Sequence, residues 1–145
     1  MTLPETAQLD LAISQLMRLL IVDERRLFSD LGKAAYNPLD VETLAYLWRQ
    51  PGSTAKDIAR FLRVRMTTMQ SAIDRLQKRG LLTRDRTALK GRSVALMLSE
   101  AGASFCSRMH THNLHNCEQM LAALTQEERP GFVRNITTIA AKMAT

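Results

Sequence analysis

The longest aliphatic run in the chain is Leu19 to Val22, far short of the roughly 20 apolar residues a membrane-spanning helix needs. The first ten residues, "MTLPETAQLD", carry acids and no apolar signal core, which argues against secretion. Two cysteines are too few for a disulfide framework. A reducing, cytoplasmic setting with no membrane partner is the expectation. There is no Gly-rich phosphate loop, no zinc-hydrolase His pair with a glutamate and no nucleophile elbow. These absences point away from an enzyme, and no cofactor is expected. Internal repeats and low-complexity segments are also lacking, so the 145 residues read as one domain-sized chain.

What is present is charge, and it is unevenly placed. The net charge is +6. Between Arg60 and Arg92 lie ten basic residues (Arg60, Arg63, Arg65, Arg75, Lys78, Arg79, Arg84, Arg86, Lys90 and Arg92), opposed only by Asp74 and Asp85. That segment carries +8 and leaves −2 for the remainder. A basic middle between near-neutral ends is the electrostatic footprint of a polyanion binder.

Glycine and proline divide the chain. Leu9 to Leu31 has no breaker, and Leu9, Ile13, Leu16, Leu20, Leu27 and Leu31 follow a helical period. Leu19, Ile21, Val22 and Phe28 widen that stripe beyond one core contact, which suggests a partner chain. "GKAAYNP" ends this helix, and Asp40 is expected to cap a second one running to about Arg49. After the turn "QPGS", Thr54 and Asp57 form a Thr-x-x-Asp capping box for a short third helix.

In "RVRMTTMQSAIDRLQKRGLL", Val64, Met69, Ala72, Ile73 and Leu76 make an inward stripe, and Gly80 is the stop. Thr67, Thr68, Gln70 and Ser71 are short hydroxyls and amides near the start, and Lys78 and Arg79 are cations at the end. A recognition helix needs that arrangement, because base edges take hydroxyls and amides while phosphates take cations. "LLTRDR" and "SVALMLS" read as two short strands around a basic loop, "TALKGR". Val94, Leu96 and Leu98 alternate onto one face. Ser99 is positioned to cap a long helix to about Ala123, and Thr125 with Glu128 is a further capping-box candidate. The last helix has Phe132, Ile136, Ile139 and Met143 as its stripe.

At this point the chain resembles the MarR family of bacterial winged-helix regulators from about Leu9 to Met143. "DIARFL", "LQKRGLL", the basic hairpin and "LSEAG" stand in the order and spacing of that family's motifs. The resemblance implies a mainly α fold with a small β-hairpin wing (α+β), a winged helix-turn-helix that is dimeric with interlocked terminal helices. The winged-helix domain would span about residues 37–100, and the helical dimerisation region about 5–34 and 100–145. It implies double-stranded DNA and a second copy of the chain as partners, with a small-molecule effector of unknown identity.

In this likeness Arg65, Met66, Thr67, Thr68, Gln70 and Ser71 belong to the recognition-helix face, and Arg75 approaches phosphate. Arg84, Arg86, Lys90 and Arg92 belong to the wing, with Arg92 as the minor-groove reader. Two positions depart from the family pattern. "KGR" puts Lys90 where the wing's Asp usually stands and Gly91 where its first Arg stands, and Arg65 occupies a helix start where Ser, Asp or Asn is usual.

Both cysteines and all three histidines fall in "CSRMHTHNLHNC". On one helix Cys106, His110 and Cys117 lie towards the apolar side, while His112 and His115 lie on the polar side. Cys106 and Cys117 stand ~16 Å apart along a straight helix, beyond the ~7 Å a disulfide allows between Cα atoms. Cys106 and His110, at i and i+4, are spaced to share a metal but would need two ligands from elsewhere, and His112 with His115, at i and i+3, is a weaker pair for the same reason. Inert packing is the ordinary role of such thiols, so no metal is assigned. The leading function is a sequence-specific DNA-binding transcriptional regulator, a ligand-responsive repressor that binds an inverted repeat as a homodimer. The alternatives are a winged helix with little sequence specificity and a thiol- or metal-responsive regulator using Cys106 and His110.

Overall fold

The computed structural model describes residues 3–31, 35–90 and 93–144, with residues 86–90 and 93 described by their backbone alone. The chain divides into two compact units, Met1–Met109 and His110–Thr145. Helix α5 (Glu100–Ala122) contributes to both. None of the described helices is long and apolar enough to cross a membrane.

The first unit opens with α1 (Pro4–Ser29). Pro4 occupies the first helical position, where its fixed φ and missing N–H are no handicap, so the helix begins five residues before the apolar period does. Of its residues only Phe28 is buried, and Leu9, Leu11, Ile13, Leu16, Met17, Leu19 and Val22 all face outward. Phe28 meets Tyr36 and Phe105 edge-to-face, with centroids 5.7 and 5.9 Å apart. Helix α2 (Pro38–Arg49) starts one turn earlier than expected. Asn37, not Asp40, is its cap, accepting from the Leu39 N–H at 2.9 Å. Proline at the next position fixes the chain for helix entry, and Asp40 is left free for another use.

Helix α3 (Ala55–Leu62) carries the capping box its sequence announced. Thr54 Oγ1 accepts from the Asp57 N–H at 3.2 Å, and Asp57 returns the bond to the Thr54 N–H at 3.0 Å. The turn out of α3 places Arg63 in the left-handed region at φ 56°. Helix α4 (Met66–Lys78) then buries Met69, Ala72, Ile73 and Leu76, and Gly80 ends it at φ 72°. Strand β1 (Leu82–Lys90) pairs antiparallel with β2 (Ser93–Leu98), with Leu82 opposite Leu98 and Arg84 opposite Leu96. The pairing runs on to Lys90 past an irregularity between Asp85 and Leu89, so β1 takes in most of what the sequence suggested was loop. Gly91 and Arg92 lie outside the described residues. On its other side β2 bonds the "GS" before α3, through Gly52 N–H to Leu96 O (3.0 Å) and Leu96 N–H to Ser53 O (2.9 Å).

Phe28, Leu44, Leu47, Ile58, Met69, Ile73, Leu76, Leu82, Leu96 and Phe105 form one core. This is a mainly helical winged helix with a two-stranded wing. In the second unit, α6 (Arg129–Met143) follows a turn in which Glu128 accepts from the Thr125 N–H at 2.9 Å. Arg129 Nε donates to the Leu121 carbonyl at 2.8 Å. Phe132, Ile136, Ile139 and Met143, the expected stripe, are exposed.

The "LSEAG" motif explains how the wing joins α5. Ser99 Oγ accepts from the Gly102 N–H at 3.1 Å, capping the helix as expected, and donates to the Gly80 carbonyl at 2.5 Å. The start of α5 thereby lies against the end of α4, and a Cβ on Gly102 would stand 2.0 Å from the Leu81 carbonyl oxygen. No rotamer relieves a clash with backbone. Gly102→Ala is expected to lower the unfolding free energy by at least about 2 kcal/mol, measured by urea denaturation. Gly131→Ala in α6, whose added Cβ would find its nearest neighbour at 3.7 Å, is expected to be neutral or slightly stabilising. Equal stability of Gly102→Ala and the parent protein would overturn this account of the junction.

Candidate nucleic-acid interface

The outer face of α4 is the complement of its buried stripe. Met66, Thr67, Thr68, Gln70 and Ser71 are all exposed, and Ser71 Oγ donates to the Thr67 carbonyl at 3.1 Å. Arg65 stands at the N-cap in an extended conformation with no side-chain cap bond. A cation there opposes the positive end of the helix dipole, so the helix start attracts any phosphate that comes near. Arg60 and Arg63, from the end of α3 and the turn, are exposed beside it in sequence. Between α3, α4 and the hairpin lies a cleft of about 340 Å³, lined by Lys56, Met66, Gln70, Arg84 and Val94 among others.

The basic residues of this segment do not all face outward. Arg84, expected in the wing, leans from β1 back onto α4. Its Nη2 lies 2.6 Å from Asp74 Oδ1, and its Nη1 donates to Gln77 Oε1. The pair fixes the root of the wing to the recognition helix. Arg79 turns inward, its guanidinium 4.5 Å from the centroid of the Phe28 ring. Its terminal nitrogens are buried without a hydrogen-bond partner among the described residues. Arg75, expected near phosphate, forks onto Asp40 with Nη2–Oδ1 at 2.7 Å and Nε–Oδ2 at 3.3 Å. The hydrogen bond to Asp40 is the main cause that raises its pKa above the ordinary arginine value. Arg86 and Lys90 have their backbone in β1, with side chains outside the described residues, as is the whole of Arg92.

Sequence reasoning missed Asp40, Asp74 and Gln77 as the holders of these arginines. Asp74 was signalled by being one of only two acids in the basic segment. Asp40 gave no local signal, since its partner lies 35 residues away.

Among the described residues no cluster of three or more His, Cys, Asp or Glu is suited to a metal ion. Cys106 is buried, and its Sγ lies 3.5 Å from the Leu44 carbonyl. Burial pushes its pKa up to about 11. Cys117 and His110, expected on the same apolar side, are exposed. The thiolate is the nucleophile, and a raised pKa leaves little of it at neutral pH. Iodoacetamide at pH 8 is therefore expected to leave Cys106 unmodified in the folded protein and to label it once urea is added, read by peptide mass spectrometry. Labelling at similar rates in both states would contradict the buried neutral thiol.

Residues 36–93 match the model of the MarR family. Among curated proteins the chain is similar to the uncharacterized HTH-type transcriptional regulator YwhA of Bacillus subtilis strain 168, 27% identical over 97 residues, which cover 67% of this chain and 70% of that protein. Among solved structures it is similar to Streptococcus pneumoniae FabT in complex with DNA, at TM-score 0.80 and 16% identity over 94% of this chain and 96% of that one. A MarR family protein from Bacillus stearothermophilus gives TM-score 0.79 and 18% identity over 100% and 99% of the two chains. The match to the MarR family model thus falls on the stretch from α2 to the start of β2, and the solved structures show that the chain has the winged-helix fold of such proteins.

Proposed function

We propose that the protein is a sequence-specific DNA-binding transcriptional regulator, acting as a homodimer on an inverted-repeat operator and releasing it when a small molecule binds. The observation that carries the reading is the outer face of α4. A run of small hydroxyl and amide side chains stands on a helix whose other face is fully buried, with exposed cations at its start. In this reading Thr67, Thr68, Gln70 and Ser71 read base edges with Met66 in apolar contact. Arg65 sits at phosphate, and Arg86, Lys90 and Arg92 supply the wing's charge. Arg84 anchors the wing. The structurally similar FabT was solved with DNA, which supports this use of the fold. Residues 37–100 act as the reading domain, and 5–34 with 100–145 as the dimerisation region. A repressor role and a cytoplasmic location complete the proposal.

The exposed apolar residues of α1 and of α6 support the dimer. A two-fold dimer with one recognition helix per subunit requires half-sites about 10 base pairs apart. Sedimentation is expected to give a dimer at micromolar concentration. Ile13→Asp combined with Ile136→Asp is expected to give a folded monomer. It should bind the operator at least about tenfold more weakly, because the second half-site is no longer held at high effective concentration. A wild-type monomer with full DNA affinity would sink the dimer.

The reading itself is tested on an operator recovered from genomic fragments, with random DNA beside it. Gln70→Ala should weaken operator binding selectively, by about 1–3 kcal/mol, with little change in salt dependence. Arg92→Ala should weaken both DNAs alike and lower the salt slope by nearly 2 per dimer, at ~0.9 per phosphate contact in each subunit. Identical effects of the two substitutions would contradict this division of roles.

A further inference from the structure

We propose that Arg75 is a positioning residue of the recognition helix, locked to Asp40 so as to fix how α4 lies against α2, and not a phosphate contact. The proposal rests on the DNA-binding reading above.

Asp40 sits in the first turn of α2, and its side chain is only 2% exposed. Its carboxylate has the N-terminal end of a helix behind it, where a negative charge is favoured, and Arg75 in front. Arg75 comes from the last turn of α4, and its side chain is 44% exposed. Both carboxylate oxygens are engaged, one by Nε and one by Nη2. Two parallel bonds between planar groups fix an orientation as well as a distance. The pair therefore ties the C-terminal end of α4 to the N-terminal end of α2, while the buried stripe holds the middle of α4.

The same geometry argues against phosphate. A guanidinium already paired with a carboxylate presents little net charge, so it displaces few counterions when DNA arrives. To reach a phosphate with its fork, Arg75 would have to abandon Asp40 and leave a carboxylate buried without a counter-charge, which is unfavourable. The exposed part of the side chain is thus compatible with a structural role. Lysine would not replace it, because an ammonium is a point charge that cannot hold two oxygens in a plane. Lys78, one turn away and exposed, has no such carboxylate partner among the described residues and remains suited to phosphate.

The test uses the full-length protein, the genomic operator fragment and random DNA, each titrated at several salt concentrations. Arg75→Lys keeps the charge and loses the fork. It should reduce the ratio of operator to random affinity by about tenfold, the worth of one good base contact, and leave the salt slope unchanged. Asp40→Asn should reduce the same ratio, and the double variant should do no more than the worse single one. Far-UV circular dichroism and an unchanged affinity for random DNA identify variants that have kept their fold. A phosphate-contact role gives different results. Arg75→Lys would then bind nearly as the parent does, and Asp40→Asn, by freeing the arginine, would bind both DNAs more tightly with a steeper slope. Either result overturns the proposal. Absence of any operator preference in the parent protein would instead overturn the DNA-binding reading on which it rests.

Discussion

Met69, Ile73, Leu76 and Ala72 have no exposed surface, and their fit into the core fixes the roll of α4 about its own axis. A helix turns about 100° per residue, so the same burial that hides these four presents Thr67, Gln70 and Ser71 to solvent. Close packing makes the choice sharp, because a rotation would trade filled volume for voids and buried methyl groups for hydroxyls. The remaining constraints act on the helix from its ends and flanks. Asp40 holds Arg75, Arg84 reaches Asp74 and Gln77, and Ser99 ties the carbonyl of Gly80 to the start of α5.

This arrangement changes how the basic segment is understood. By composition it carries +8, which reads as one broad cationic face. In the structure several of its members are occupied within the fold. Arg75 and Arg84 are paired with carboxylates, and Arg79 lies over the Phe28 ring, an interaction worth about 2 kcal/mol when desolvated. Arg65 at the start of α4 and Lys78 at its end are, by contrast, exposed. Arginine suits both tasks, since its planar fork pairs with a carboxylate as readily as with a phosphate.

Local chemistry made much of the fold legible in the sequence. The Thr54–Asp57 capping box, the Gly80 stop, the Ser99 cap and the inward stripe of α4 each depend on residues three or four apart, and each is where the pattern puts it. The misreadings have equally specific causes. Asp40 looks like a helix cap, but Asn37 followed by proline wins that position, and the carboxylate serves a partner 35 residues away. The hairpin is longer than its sequence pattern suggests, because Thr87 to Lys90 show no apolar alternation to betray a strand. Gln77 as a ligand of Arg84 was likewise invisible, since strand and helix meet only after folding. Sequence periodicity shows which face of an element is buried. It does not show which polar groups meet across elements.

Helix α1 has one further consequence. It is about 39 Å long at 1.5 Å per residue, yet Phe28 is its only buried residue. A helix with so little packing of its own draws most of its stability from whatever covers it. If a second copy of the chain is that cover, folding and self-association become a single equilibrium, and measured stability rises with protein concentration by mass action. The chain would then be most vulnerable to proteolysis when scarce and would persist longer as it accumulates. Its lifetime in the cell would report its own abundance.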